Sequence, residues 1–258
     1  MTPLITPEQA LGIGFVFTRV IGIFLSFPLL NTSMIPLNIR VLFLVSLSFY
    51  ISSILDIKIS VEDLIVVEIL LNILKELLVG FLLGIIVTIF ISAFSYAAEL
   101  ISYFMGLTIV NTFDPTFGQI AVLDRLFILI FYLLFFITGV YQIFLAGVVA
   151  SFEIFPVYAF SLNTGVFQYI LEKSTQIFVL GFKLAFPFIL VLFITNVVLA
   201  LINRLIPQIM VFIVGLPLQI FLGLISLAIG TATIIYFAVN ILDQTGSSFV
   251  QIIKHIGK

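Results

Sequence analysis

The chain has 258 residues, 63% of them hydrophobic and 9% charged, with a formal net charge of −2 and a mean hydropathy of +1.40. Soluble domains carry about 45–50% apolar and about 25% charged residues, so this composition excludes a soluble fold and predicts an integral membrane protein. The near-neutral charge offers no basic stripe to nucleic acid, the lack of cysteine removes disulfides and thiolate metal sites, and the single histidine, His255, cannot form a metal-binding cluster.

Windows of about 20 residues pick out apolar segments near 10–30, 41–57, 77–98, 126–150, 184–202 and 209–242. Hydropathy thus predicts an all-α protein of about six hydrophobic helical segments, the last one irregular, forming one polytopic domain over 1–258. The opening MTPLITPEQA has no positive leader region, and no small-residue cleavage pattern follows the first apolar run. A retained first span is therefore expected. Arg19 lies inside it. A charge at a span centre costs about 2.5–3.5 kcal/mol, which predicts a protein-buried ion pair.

The connection 31–40 carries turn residues, Pro36 and Arg40, and 58–63 is charged, with Ser60 and Asp63 spaced as in a capping box. Glu68, Asn72 and Glu76 then recur every fourth residue beside Lys75. That stripe predicts an amphipathic helix at the membrane surface or one running on into span three, or else a polar seam against another subunit. Gly80 and Gly84, with Ala93 and Ala97 further on, have the small-xxx-small spacing of close helix packing. Glu99 closes the third span.

From Gly106 to Val122 the chain is apolar enough for membrane depth, yet Asn111, Asp114-Pro115 and Gly118 oppose continuous helix. Irregular backbone at that depth must be buried in protein or line a cavity. An external loop is the plain alternative. Asn196 and Asn203 share a helix face. The run from Leu205 to Leu242 has no charged residue and exceeds one span, so Pro207, Gly215 and Pro217 are expected to break it into a bent hairpin.

Lys58, Lys75, Lys173, Lys183, Lys254 and Lys258 fall on one side of a six-span arrangement, and Arg40, Arg125 and Arg204 on the other. The lysine side, with both termini, is expected to be cytoplasmic. The chain carries no nucleophile elbow, zinc-protease helix or phosphate-binding loop, so no enzyme, metal or cofactor is expected.

These residues resemble the family of the flagellar export-gate protein FliR and its type III secretion counterparts. Arg19, Phe27-Pro28 and Ile35-Pro36-Leu37-Asn38-Ile39-Arg40 are similar to the family's early pattern. Glu99-Leu100-Ile101, Met105-Gly106-Leu107 and Asp114-Pro115 resemble its central elements. Ala185, Pro187, Asn196, Arg204, Pro207-Gln208, Val211-Phe212, Gly215, Pro217 and Gly223 resemble its later ones. Met210 and Gln219 depart from it, standing where Asn and Lys are usual, and the region Gly139 to Gln142 lacks the histidines often found there.

The resemblance implies a subunit of a helically wound export gate with FliP-like and FliQ-like subunits and an FlhB-like contact. Such a gate would lie in the bacterial inner membrane at the flagellar basal body and pass unfolded flagellar proteins. Gly106, Asn111, Phe113, Asp114, Pro115, Phe117 and Gly118 then correspond to a channel plug. Arg19, Arg40, Glu99, Asn196, Arg204, Pro207, Gln208, Phe212, Gly215 and Pro217 correspond to subunit-packing or buried polar positions. A virulence secretion subunit and a small-molecule secondary transporter are the alternatives.

Overall fold

A computed structural model describes residues 6–30, 35–55, 66–107, 122–157, 164–206 and 211–256, and all the regular elements among them are helices. α1 spans Pro7–Ser26 and starts in a capping box. The Gln9 amide donates to Thr6 Oγ1 at 3.3 Å, and the Gln9 side chain accepts from the Thr6 amide at 3.1 Å. Pro7 fits the first helical position because no amide donor is needed there. α1 stops where Phe27, the residue before Pro28, turns extended. The capping box suggested at Ser60 lies outside the described residues.

α2, Leu37–Leu55, starts beneath the Pro36 carbonyl, which accepts from the amides of Ile39 and Arg40. α3 runs unbroken over Val66–Phe104. Its 39 residues cover about 58 Å at about 1.5 Å each, roughly twice a hydrocarbon core. The stripe at 68–76 therefore belongs to the same helix as the third apolar segment.

The fourth apolar segment is two helices, α4 (Val122–Ile137) and α5 (Val140–Ile154), parted at Gly139, whose φ of 77° suits a residue without Cβ. α6, Thr164–Leu205, keeps Pro187 inside it. α7, Val211–Ile229, likewise contains Gly215 and Pro217. The expected breaks at those two residues are thus corrected. The bend of 63° comes instead at Gly230, before α8, Thr231–Ile256. A Cβ on Gly230 would press on the ring of the buried Phe188, which would have to shift. Four helices among the described residues are long and apolar enough to cross a membrane, or up to six if each bent pair is one span. This is the architecture of an integral membrane protein.

The helices form two compact units interleaved in sequence. One comprises Met1–Thr88, Val140–Glu172 and Thr245–Lys258, and the other Ile89–Gly139 and Lys173–Gln244. In the first, α1 lies against the early part of α3, and the rings of Phe27, Phe144 and Phe249 pack in series at 5.1 and 4.8 Å. In the second, Phe94 meets Phe127 and Phe131 at 5.0 and 5.8 Å, and Gly181 admits the backbone at Ala93 and the ring of Tyr96. Ser95 also donates to the Asp124 carboxylate there.

Candidate functional site

In the first unit the polar centre is built by glycine. A Cβ on Gly80 would overlap the Arg19 carbonyl, and one on Gly22 would overlap the Leu77 carbonyl, so α1 and α3 touch main chain to main chain. Arg19 precedes Gly22 by three residues and Glu76 precedes Gly80 by four, which puts each charged residue on the face its glycine brings into contact. The result is an ion pair with side chains 1% and 2% exposed.

The pair is bidentate. Arg19 Nε donates to Glu76 Oε2 at 2.6 Å and Nη2 to Oε1 at 3.1 Å. Nη1 reaches Ser151 Oγ at 3.1 Å, and Nη2 also reaches the Phe155 carbonyl at 3.2 Å, just past the end of α5. Ser151 Oγ in turn donates to the Val148 carbonyl at 2.7 Å. The Phe152 ring covers the guanidinium face, its centroid 3.9 Å from Cζ. One cation is thereby tied to α1, α3 and α5, and both charges are satisfied. That matters because taking each ion out of water costs on the order of several kcal/mol, a loss that pairing and hydrogen bonds must offset.

This arrangement divides the polar stripe, which does run on into span three. Asn72 and Glu76 face inward within the same chain, while Glu68 and Lys75 are exposed. The sequence held the clue that Arg19 needs an anion and that Glu76 lies next to a small-residue pair, but nothing in it joins positions 57 residues apart. Ser151 and Phe155 gave no signal, since a lone serine and a backbone carbonyl have none.

In the second unit, α3 ends at Gly106 in the left-handed region, φ 76°. The Leu107 amide donates to the Ser102 carbonyl at 3.1 Å and the Gly106 amide to that of Tyr103 at 3.0 Å, the Schellman pattern of helix termination. Leu107 and Val122, which flank the segment 108–121, both line an apolar cavity of about 630 Å³, together with Met105, Leu126, Leu224 and Ile235. Gly223 lets α7 approach Met105 there. Between α6 and α7, Gln219 Nε2 donates to Asn196 Oδ1, so the position that departs from the family pattern holds the partner of Asn196.

The other sequence-derived positions are spread along the chain. Arg40 is half-buried, with its Nε enclosed and without an acceptor among the described residues. Glu99 and Arg204 are exposed on this single chain, as is Pro217, whereas Gly215 is buried. Phe212 lies in the first turn of α7. Asn111, Phe113, Asp114, Pro115, Phe117, Gly118, Pro207 and Gln208 fall outside the described residues.

Long apolar helices, two of them joined by a sealed ion pair, define a polytopic helical membrane protein. Within that class the chain belongs to the bacterial export proteins, family 1, which matches it over residues 10–245. It is 37% identical over 214 residues to the flagellar biosynthetic protein FliR of Aquifex aeolicus (strain VF5), covering 82% of this chain and 81% of that one. It is 30% identical to the FliR of Bacillus subtilis (strain 168) over 64% of this chain and 65% of the relative. The FliR of Escherichia coli (strain K12) is 28% identical over 62% of each. The chain thus spans just under two thirds of the length of the latter two.

Proposed function

We propose that the chain is a non-enzymatic subunit of the flagellar type III protein-export gate in the bacterial inner membrane, at the flagellar basal body. It assembles there with FliP-like and FliQ-like subunits, contacts an FlhB-like protein, and forms part of the path taken by unfolded flagellar proteins. The observation that carries this reading is the likeness to FliR over 82% of the chain at 37% identity. The exposed apolar faces of α6 and α7, including Phe182, Phe186, Phe193 and Phe221, supply surface for neighbouring subunits or lipid.

Residues 106–122 are proposed as the plug of the channel. In support, Gly106 stops α3 sharply, and both ends of the segment open beside one apolar cavity. An apolar constriction blocks ions by excluding water. Co-purification is the direct test of the assembly: FliP-like and FliQ-like proteins should come down with the tagged chain from its native membrane. A chain that purifies alone as a monomer and carries a solute across liposomes would refute the gate. Deleting Asn111 to Gln119 should raise ion conductance while the complex still forms, and unchanged conductance in an assembled complex would remove the plug.

A further inference from the structure

α6 is longer than any bilayer can cover. Its 42 residues rise about 63 Å at about 1.5 Å each, roughly twice the about 30 Å of a hydrocarbon core. Its charged residues are Glu172, Lys173, Lys183 and Arg204, so residues 184–203 carry no charge. That stretch of 20 residues rises about 30 Å and fills the core. Lys183 and Arg204, both exposed, then reach the two headgroup layers, as long basic side chains do at the ends of a span. A placement that drew Lys183 deeper would set an exposed ammonium among acyl chains and strip its hydration.

The first half of α6, 164–182, therefore projects beyond the hydrocarbon, yet one of its faces is apolar. Phe167, Leu171, Phe178 and Phe182 are 49%, 67%, 62% and 50% exposed. Their spacing of four, seven and four puts them on one side of the helix. Leu171 precedes Lys183 by 12 residues, about 18 Å along the axis, which is past the about 5–8 Å of a headgroup layer. Gln168, Glu172 and Thr175, also exposed, run along the edge of the stripe. A carboxylate and an amide at that edge exclude acyl chains, and a contiguous row of large apolar side chains marks a protein contact when it lies in water. An apolar seam with a polar rim has the composition of such a contact.

We infer that the face of α6 bearing Phe167, Leu171, Phe178 and Phe182 docks an apolar helix of a different protein chain, outside the hydrocarbon. A second copy fits poorly. Two copies in one membrane are related by an axis along its normal, so their α6 helices run parallel, and a symmetric pairing brings Glu172 towards Glu172 and Lys183 towards Lys183. The inference does not rest on the gate reading, because it concerns where a partner helix lies and not which protein supplies it.

The experiment is photo-cross-linking of the full chain in its native membranes. A photo-reactive residue at Leu171 or Phe178 should give an adduct whose cross-linked peptide, sequenced by mass spectrometry, comes from an apolar segment of another protein. Peptides from a second copy of this chain, lipid adducts, or no adduct at either position would overturn the docking face. Leu171→Gln together with Phe178→Gln should lower recovery of that partner at least about tenfold, as two apolar side chains lose their cover, while the unfolding midpoint of the purified chain in sodium dodecyl sulfate stays that of the parent. Unchanged recovery, or a lowered midpoint showing that these side chains pack within their own chain, would also overturn it. A partner that is neither FliP-like nor FliQ-like would count against the gate and still support the docking face.

Discussion

Replacing Glu76 by alanine tests the account of the buried Arg19–Glu76 pair most severely. The change removes the acceptors of two of the four hydrogen bonds that hold Arg19, at 2.6 and 3.1 Å, and the only countercharge it has among the described residues. What remains is the Ser151 hydroxyl, the Phe155 carbonyl and the Phe152 ring, all neutral. Breaking a buried pair from one side typically costs about 3–5 kcal/mol, because the surviving ion stays desolvated. Removing both charges together, as Arg19→Met with Glu76→Leu, should cost far less, since apolar replacement of a buried pair is often neutral or stabilising by about 1–4 kcal/mol. The assay is equilibrium unfolding of the purified protein in mixed micelles by increasing sodium dodecyl sulfate, with Arg19→Met, Glu76→Leu and their double variant closing a cycle beside Glu76→Ala. The expected signature is strong non-additivity, with the double variant more stable than Glu76→Ala alone. Additive effects, each below about 1 kcal/mol, would show that the pair behaves as an exposed one and would refute the reasoning.

Three further outcomes follow from the same geometry. Gly80→Ala should destabilise by about 1–3 kcal/mol, because the added carbon meets the Arg19 main chain, whereas Gly14→Ala, with nothing within 4 Å of the added carbon, should be neutral or stabilising in the same titration. Gly106→Val should destabilise by about 1 kcal/mol or more through its left-handed φ, measurable as faster hydrogen exchange at the Leu107 amide; exchange no faster than in the parent chain would contradict the cap. Asn196→Ala and Gln219→Ala should each cost about 0.6–1.7 kcal/mol, and the double variant should cost little more than either single one if the two side chains serve only each other.

The sequence by itself determined the class of protein and most of its helices. Composition placed the chain in the membrane and the apolar windows located the helical segments, while the break at Gly139 inside the fourth window came only with the structure. Arg19 was legible as a buried charge because an unpaired cation at membrane depth is too costly to leave alone. Its partners were not legible. Glu76 looked like part of a wet stripe, since periodicity tells which residues share a face and not what that face meets. Helix interruptions misled for a related reason: Gly215 and Pro217 weaken a helix locally, but a long apolar helix can absorb that loss where neighbours hold its shape. Only the tertiary structure decided that Gly22 and Gly80 bring two backbones together, that this approach joins Arg19 to Glu76 and Ser151, and that Gln219 completes Asn196. Each of these depends on contacts between residues far apart in the chain, and local pattern carries no record of such distances.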